Sequence, residues 1–246
     1  MIGVDYLLPH YGEEKTEIIL HKILPYFYWV VFISTVMGAF NGYLDHNPWT
    51  IGDWLVNYQG GMVRRGLLGD VIYQIARYTH INPGLYTAFL QSIFYAIFFF
   101  FSYLLLKAQP ILSSFSLLIF SPFLFTFQIN SLQDGGYRKE IIFFGILALN
   151  VWMARTKRFE LFERIFFITL LVYPAIILTH EMLALCLPYL LVVYLSFGKL
   201  TEKKIITLFI ILLPSVIVFI ICVLLPFKAS QVEDILISLA RENYAL

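Results

Sequence analysis

Residues 205–227 read IITLFIILLPSVIVFIICVLLPF, a run of 23 residues without a charged side chain. A helix of this length spans the roughly 30 Å hydrocarbon core of a bilayer. Three other uncharged runs of similar length cover residues 23–44, 84–106 and 110–130. Because only helices and closed barrels satisfy their backbone in lipid, these runs predict an all-α, polytopic integral membrane helix bundle.

The composition agrees with a chain that lies in lipid. Hydrophobic residues make up 60% of the 246 residues and charged residues 13%, about half the charge of a soluble domain. The net charge of +1 argues against a nucleic-acid partner, which requires a basic surface. Cys186 and Cys222 lie inside apolar runs, where cysteine is a packing residue rather than half of a disulfide. We therefore expect the lipid bilayer to be the main partner.

Three shorter apolar runs bring the predicted number of crossings to about seven. They cover residues 141–154, 165–179 and 182–198. The first could start at Tyr137, with Arg138 and Lys139 extending their charges to the interface. The other two flank His180-Glu181 and together are too long for one crossing, so we expect two short helices that meet at this dipeptide. The alternative places His180-Glu181 inside one helix at mid-membrane depth, facing protein or water.

The predicted topology is a single transmembrane domain over residues 1–246 with a cytoplasmic N-terminus. Of the 17 lysines and arginines, ten then fall in inner segments and seven in outer segments, as the positive-inside rule expects. Residues 1–22 are a cytoplasmic amphipathic segment, residues 45–83 a long outer loop and residues 228–246 an outer C-terminal segment.

The long outer loop contains a helix signal of its own. Its apolar face comprises Leu68, Val71, Ile72 and Ile75. Its polar face comprises Asp70, Gln74 and Arg77. This spacing predicts an amphipathic helix that lies flat on the outer interface. A second interfacial helix is expected within residues 230–246.

Three charged clusters occupy the polar gaps that this topology places on the outer side. They are Asp53 with Arg64-Arg65, Asp134 with Arg138-Lys139-Glu140, and His180-Glu181. Ionisable groups at a membrane boundary are costly, and they commonly mark functional sites. We therefore expect the three clusters to line one outward-facing polar cavity.

The first cluster is suited to bind phosphate. Gly60, Gly61 and Gly66 flank Arg64 and Arg65, so both backbone N–H groups and forked guanidinium groups can reach an anion. A lipid-linked diphosphate is the expected anion at a membrane surface. The alternative is that the two arginines only hold phospholipid headgroups beside an interfacial helix.

The second cluster follows a flexible turn. Asp134 precedes Gly135-Gly136, and its carboxylate either lines the cavity or caps a helix. Glu140 either belongs to the cavity or pairs with Lys139 or Arg138. Three successive charges point around much of a helix circumference, which favours a cavity.

The third cluster and Asp45 offer groups for acid–base chemistry. His180-Glu181 can transfer protons, bind a metal or satisfy a buried hydrogen-bond network. A zinc-protease motif is excluded, because it would need a second histidine where Ala184 stands. Asp45 ends the first crossing and is a candidate base for an acceptor hydroxyl. Its alternative is an interface residue near Trp49.

The order of these features resembles a known class of membrane enzyme. An acid ends the first crossing, a long outer loop carries a flat helix, and an acid-bearing loop precedes the fourth crossing, over about 45–181. This layout resembles the membrane module of C-type glycosyltransferases and also that of O-antigen and capsule polymerases. The resemblance implies a bacterial inner-membrane enzyme of cell-surface polysaccharide synthesis. Such an enzyme uses polyprenyl-(di)phosphate-linked sugars at the extracytoplasmic face, with partners in envelope biosynthesis.

The resemblance also implies roles for individual residues. Asp45 or Asp53 takes the position of the catalytic acid, and Asp134 takes that of a second-loop acid, where a divalent cation could bind. The pyrophosphate would be held by Arg64, Arg65 and Arg138. The chain departs from the family's pattern in lacking a clear Asp-x-Asp pair and a C-terminal acceptor domain. These departures leave metal use and substrate identity open.

Two further classes compete with the transferase interpretation. A transporter or flippase for an anionic lipid or sugar would bind its cargo with the same arginines and use His180-Glu181 as a proton relay. No pseudo-symmetric halves support that class. A non-catalytic assembly subunit would use the loop charges to dock a partner.

Overall fold

The computed structural model describes residues 11–110, 136–156, 158–198, 200–226 and 228–244. Within these ranges the chain is helical and contains no strand. Four of the helices are long and apolar enough to cross a membrane. The prediction of an all-α membrane protein is therefore confirmed at this level. The predicted crossing at 110–130 and Asp134 lie outside the described residues.

Eight α-helices follow one another along the described chain. They are α1 Tyr11–Leu44, α2 Leu67–Thr79, α3 Pro83–Lys107, α4 Glu140–Arg155, α5 Phe159–Thr179, α6 Leu187–Phe197, α7 Glu202–Leu224 and α8 Ala229–Ala240. Two short 3-10 helices, Gly52–Leu55 and Glu181–Cys186, lie in the connections. Residues 11–22 belong to α1 and continue it on its N-terminal side.

Aromatic contacts give the direction of the first three long helices. Phe40 near the end of α1 meets Phe89 near the start of α3, with ring centroids 5.2 Å apart, so α1 and α3 are antiparallel. Phe101 of α3 meets Trp152 of α4 at 5.3 Å, and Phe98 meets Phe144 at 6.3 Å. These two pairs show that α3 and α4 run parallel.

The later helices alternate in direction. Asn150 of α4 donates a hydrogen bond to the Thr169 hydroxyl of α5 over 3.4 Å, which fits an antiparallel pair. Tyr194 of α6 stacks on Phe166 of α5 with centroids 4.5 Å apart. An ion pair joins Glu163 to Lys204, so α5 and α7 begin side by side. As a result, α1, α5 and α7 finish, and α3 and α4 begin, toward the same side of the bundle, which we call the site end. Helix α4 begins level with the middle of α3, where the Tyr95 and Tyr137 rings lie 5.6 Å apart.

Helix α2 bridges the end of α1 and the start of α3 across the site end. Its buried residues are Gly69, Ile72 and Ala76. A Cβ at Gly69 would lie 2.0 Å from the Val56 carbonyl oxygen, so α2 packs directly on the preceding loop. The predicted apolar face of α2 is only partly buried. Ile72 points inward, whereas Val71 and Ile75 are exposed.

Helix α4 corresponds to the predicted run 141–154, but it does not extend back to Tyr137. The helix begins at Glu140, because Tyr137 adopts a left-handed backbone with φ 64° that a continuous helix excludes. Lys139 does not extend to the interface, since its side chain is 0% exposed. Helix α5 ends at Thr179 and the 3-10 helix begins at Glu181. This break agrees with two helices that meet at His180-Glu181.

Candidate functional site

Six ionisable side chains from the three polar gaps meet at the site end. They are Asp53, Arg65, Lys139, Glu140, His180 and Glu181, which we call the polar cluster. The loop before α2 supplies two of them, the start of α4 two, and the junction after α5 two. The structure thus brings together two residues from each of the three charged clusters in the sequence.

Arg65 and Glu181 form the tightest contact in the polar cluster. Nε of Arg65 donates to both carboxylate oxygens, at 3.2 Å and 3.0 Å, and Nη2 donates to Oε1 at 3.0 Å. The hydrogen bond to Glu181 raises the pKa of Arg65, so the arginine stays charged. Nη1 takes no part in these bonds and is the donor that an incoming anion can use.

Lys139 is the buried cation of the polar cluster. Its Nζ lies 3.9 Å from Asp53 Oδ2 and donates to the Arg65 carbonyl oxygen at 3.4 Å. Burial lowers the pKa of Lys139, and the carboxylate of Asp53 opposes that shift. Lys139 also caps the N-terminus of α4, where the helix dipole disfavours a cation. The amine is therefore held where its charge depends on a nearby anion.

His180 and Glu140 form a pair suited to proton transfer. Nε2 of His180 lies 3.5 Å from Glu140 Oε1. Nδ1 accepts the Met182 N–H at 3.3 Å, so a neutral ring carries its hydrogen on Nε2, facing Glu140. Burial lowers the pKa of His180, although Glu140 opposes the shift. Glu140 Oε2 is buried and has no hydrogen-bond partner within the described residues.

Buried aromatic residues hold the loops of the polar cluster in place. Trp54 Nε1 donates to the Tyr137 carbonyl oxygen over 2.5 Å. The Tyr137 hydroxyl in turn donates to the Thr35 carbonyl oxygen of α1 at 2.9 Å. This chain of bonds ties the turn that carries Asp53 to the segment before Lys139. This series of hydrogen bonds was not predicted from the sequence. The available signal was a tryptophan directly beside Asp53, whose indole N–H needs a partner when buried.

The remaining candidate residues lie around or away from the polar cluster. Asp45 is exposed at the end of α1, and its carboxylate makes no hydrogen bond or ion pair to any described residue. Arg64 and Arg138 are the chain neighbours of Arg65 and Lys139. No group of three histidine, cysteine, aspartate or glutamate side chains that could hold a metal occurs in the described ranges. Asp134, to which the resemblance assigned a possible divalent cation, lies outside those ranges.

The polar cluster combines an anchored guanidinium group, a buried amine and a histidine–carboxylate pair at one end of an apolar bundle. Such a set can bind an anion and accept a proton in the same place. Comparisons of the chain with protein-family models, curated proteins and solved structures found no match.

Proposed function

We propose that the chain is a membrane transferase that moves a sugar from a polyprenyl-(di)phosphate to an acceptor hydroxyl at the extracytoplasmic face. The observation that carries the proposal is the unpartnered Oε2 of Glu140, buried beside His180 and close to the Arg65–Glu181 pair. A buried carboxylate oxygen without a donor needs one, and an acceptor hydroxyl supplies it.

The proposal includes the orientation of the protein in the membrane. Seven crossings place the N-terminus in the cytoplasm of a bacterial cell and the site end outside its inner membrane. Helix α2 then lies flat on the outer interface, with the exposed Val71 and Ile75 toward lipid.

The proposed reaction uses the residues of the polar cluster in separate roles. Glu140 takes the proton of the acceptor hydroxyl, whose oxygen forms the new bond to the sugar carbon. The bond from that carbon to the phosphate oxygen breaks, and its electron pair leaves on the phosphate. Arg65, 41% exposed, offers Nη1 to the departing phosphate, while Lys139 adds positive charge from behind. His180 orients Glu140 through Oε1.

Glu140 replaces Asp45 as the base in this proposal because of its surroundings. Asp45 is exposed to water at the end of α1, whereas Glu140 lies within the polar cluster beside the cations that would bind the phosphate. Asp53 has a supporting role, since its carboxylate neutralises the buried Lys139.

A lipid-linked saccharide profile of the native host tests the proposal. The gene is deleted and replaced by wild type, Glu140→Gln or the matched control Asp45→Asn, and membrane levels are checked by immunoblot. We expect the deletion to accumulate an unmodified lipid-linked sugar that wild type and Asp45→Asn remove but Glu140→Gln does not. An unchanged profile in the deletion strain would refute the transferase.

A proton-coupled transporter of an anionic lipid or sugar is the second candidate. It is favoured by the pairing of buried His180 with the partly exposed Glu140 and by the break between α5 and the 3-10 helix, since broken helices form many transport sites. In that case the lipid-linked sugar would accumulate in the inner leaflet of the deletion strain, where an external glycosidase cannot reach it.

A further inference from the structure

A second polar site lies at the other end of α2 from the polar cluster. It is a recess of about 510 Å³, within the range of small-ligand pockets. The end of α2, the start of α3 and the end of α8 form its walls. We call it the outer recess, and its ionisable and amide side chains are Gln59, Arg77, His80, Asn82, Arg241 and Glu242.

The wall that α8 contributes is firmly attached. Asn57 Nδ2 donates to the Ser238 hydroxyl at 2.9 Å, and the Tyr73 hydroxyl donates to the Ser238 carbonyl oxygen at 3.2 Å. A Cβ at Gly60 would lie 2.6 Å from the Gln231 carbonyl oxygen, and one at Gly84 would lie 2.0 Å from the Tyr244 hydroxyl. The backbone contact at Gly60 and the hydrogen bonds to Ser238 therefore hold α8 against the loop before α2.

The charge of the outer recess favours an anion. Arg77 and Arg241 are exposed, and neither side chain makes an ion pair or a hydrogen bond with a described residue. Glu242 is the one carboxylate in the lining, so the arginines leave a net positive charge. Each guanidinium group can donate two parallel hydrogen bonds to a carboxylate or a phosphate.

The outer recess also offers hydrogen bonds to hydroxyl groups. Asn82 Oδ1 accepts the Gly84 N–H at 2.7 Å, which leaves the amide nitrogen of Asn82 for a ligand. The exposed side-chain amide of Gln59 adds a second donor and acceptor. An acidic saccharide carries both an anionic group and hydroxyl groups, so it matches this lining.

We propose that the outer recess binds an acidic saccharide, with Arg77 and Arg241 holding its anionic group and Gln59 and Asn82 its hydroxyls. The part of the outer recess in catalysis rests on the proposed transferase. The recess would hold the acceptor saccharide while the end of that saccharide reaches Glu140. The ten residue steps from Leu67 to Arg77 within α2 correspond to about 15 Å, so the saccharide must be extended to reach from one site to the other.

Binding by the whole chain in phosphatidylcholine nanodiscs tests this inference. Trigalacturonic acid is titrated against wild type, and maltotriose serves as the neutral trisaccharide. We expect saturable binding of trigalacturonic acid alone, weakened about tenfold or more in the Arg77→Gln/Arg241→Gln variant, as loss of charge-assisted hydrogen bonds implies. The matched control Arg158→Gln/Arg164→Gln removes two arginines at the opposite end of the bundle and should bind as wild type does.

Two further variants keep the test independent of folding and of the transferase. Glu242→Gln removes the opposing carboxylate and should tighten binding, which a misfolded protein cannot do. Glu140→Gln should bind trigalacturonic acid as wild type does. If binding is retained while the deletion strain shows an unchanged saccharide profile, the outer recess stands and only the transferase is refuted. Equal binding in the double-arginine variant, or equal binding of maltotriose, would overturn the inference. Displacement by phosphatidylglycerol would overturn it in favour of a lipid headgroup.

Discussion

Arg65 and Glu181, 116 positions apart in the sequence, are joined by three hydrogen bonds of 3.0 to 3.2 Å. The pair directly connects the loop before α2 to the junction after α5. Glu181 is 8% exposed at its side chain, so Arg65 takes the place of water as its hydrogen-bond donor.

Glu181→Gln should destabilise the protein by about 1–3 kcal/mol, because it leaves Arg65 without its anionic partner. The cost stays below that of breaking a fully buried pair, since Arg65 is partly exposed. Thermal unfolding in detergent measures it. A double-mutant cycle with Arg65→Gln separates the pair from other effects, and additive single changes would show that the two residues do not interact.

His180 should make the stability of the protein fall in mild acid. Its folded pKa lies below its ordinary value of 6.5, so the unfolded chain binds more protons as the pH falls below about 6.5. Stability is then fully present above the unfolded pKa and decreases toward the folded pKa. We expect the melting temperature of wild type to fall between about pH 7 and pH 5 more than that of His180→Gln. Equal slopes would contradict this role of His180.

Trp54→Phe should destabilise the protein by about 1–3 kcal/mol, because the buried carbonyl of Tyr137 loses its donor. The same change should reduce the proposed activity, since Trp54 positions the segment that carries Lys139. The matched control is Trp29→Phe on α1, where the side chain is 62% exposed. Comparable losses of melting temperature in the two variants would show that the hydrogen bond is not the cause.

Gly69→Ala should push α2 away from the loop that carries Asp53. The new methyl group would lie 2.0 Å from the Val56 carbonyl oxygen, and such overpacking costs about 1–3 kcal/mol. Gly145→Ala is the matched control, because its nearest neighbour would be a side-chain methyl of Ile97 at 3.3 Å. Melting temperatures of the two variants should therefore differ, and a tolerated Gly69→Ala would mean that the loop adjusts.

The sequence predicts the long helices well because their uncharged runs have only one solution in lipid. The run 205–227, for example, corresponds to α7 at Glu202–Leu224. The break at His180-Glu181 is also readable, since the 34 residues of 165–198 exceed one crossing. The same physics groups the ionisable gaps at one end of the bundle.

The partners within the polar cluster cannot be read from the sequence. Arg64 and Arg65 have the same chemistry, and only the packing of α5 decides that Arg65 meets Glu181. Likewise, Arg138 and Lys139 look equally able to reach water. The left-handed turn at Tyr137 ends with Lys139 buried and Arg138 exposed. These outcomes depend on tertiary contacts that leave no local pattern.

The buried position of Lys139 at the start of α4 also links ligand binding to proton uptake. Because its pKa is lowered by burial, an anion that binds beside it would raise that pKa, so protonation of the amine and binding of the anion favour each other. Anionic ligands would then bind more weakly as the pH rises, and the heat of binding would change with the ionisation enthalpy of the buffer. In this sense the amine couples the proton affinity of the site to its occupancy.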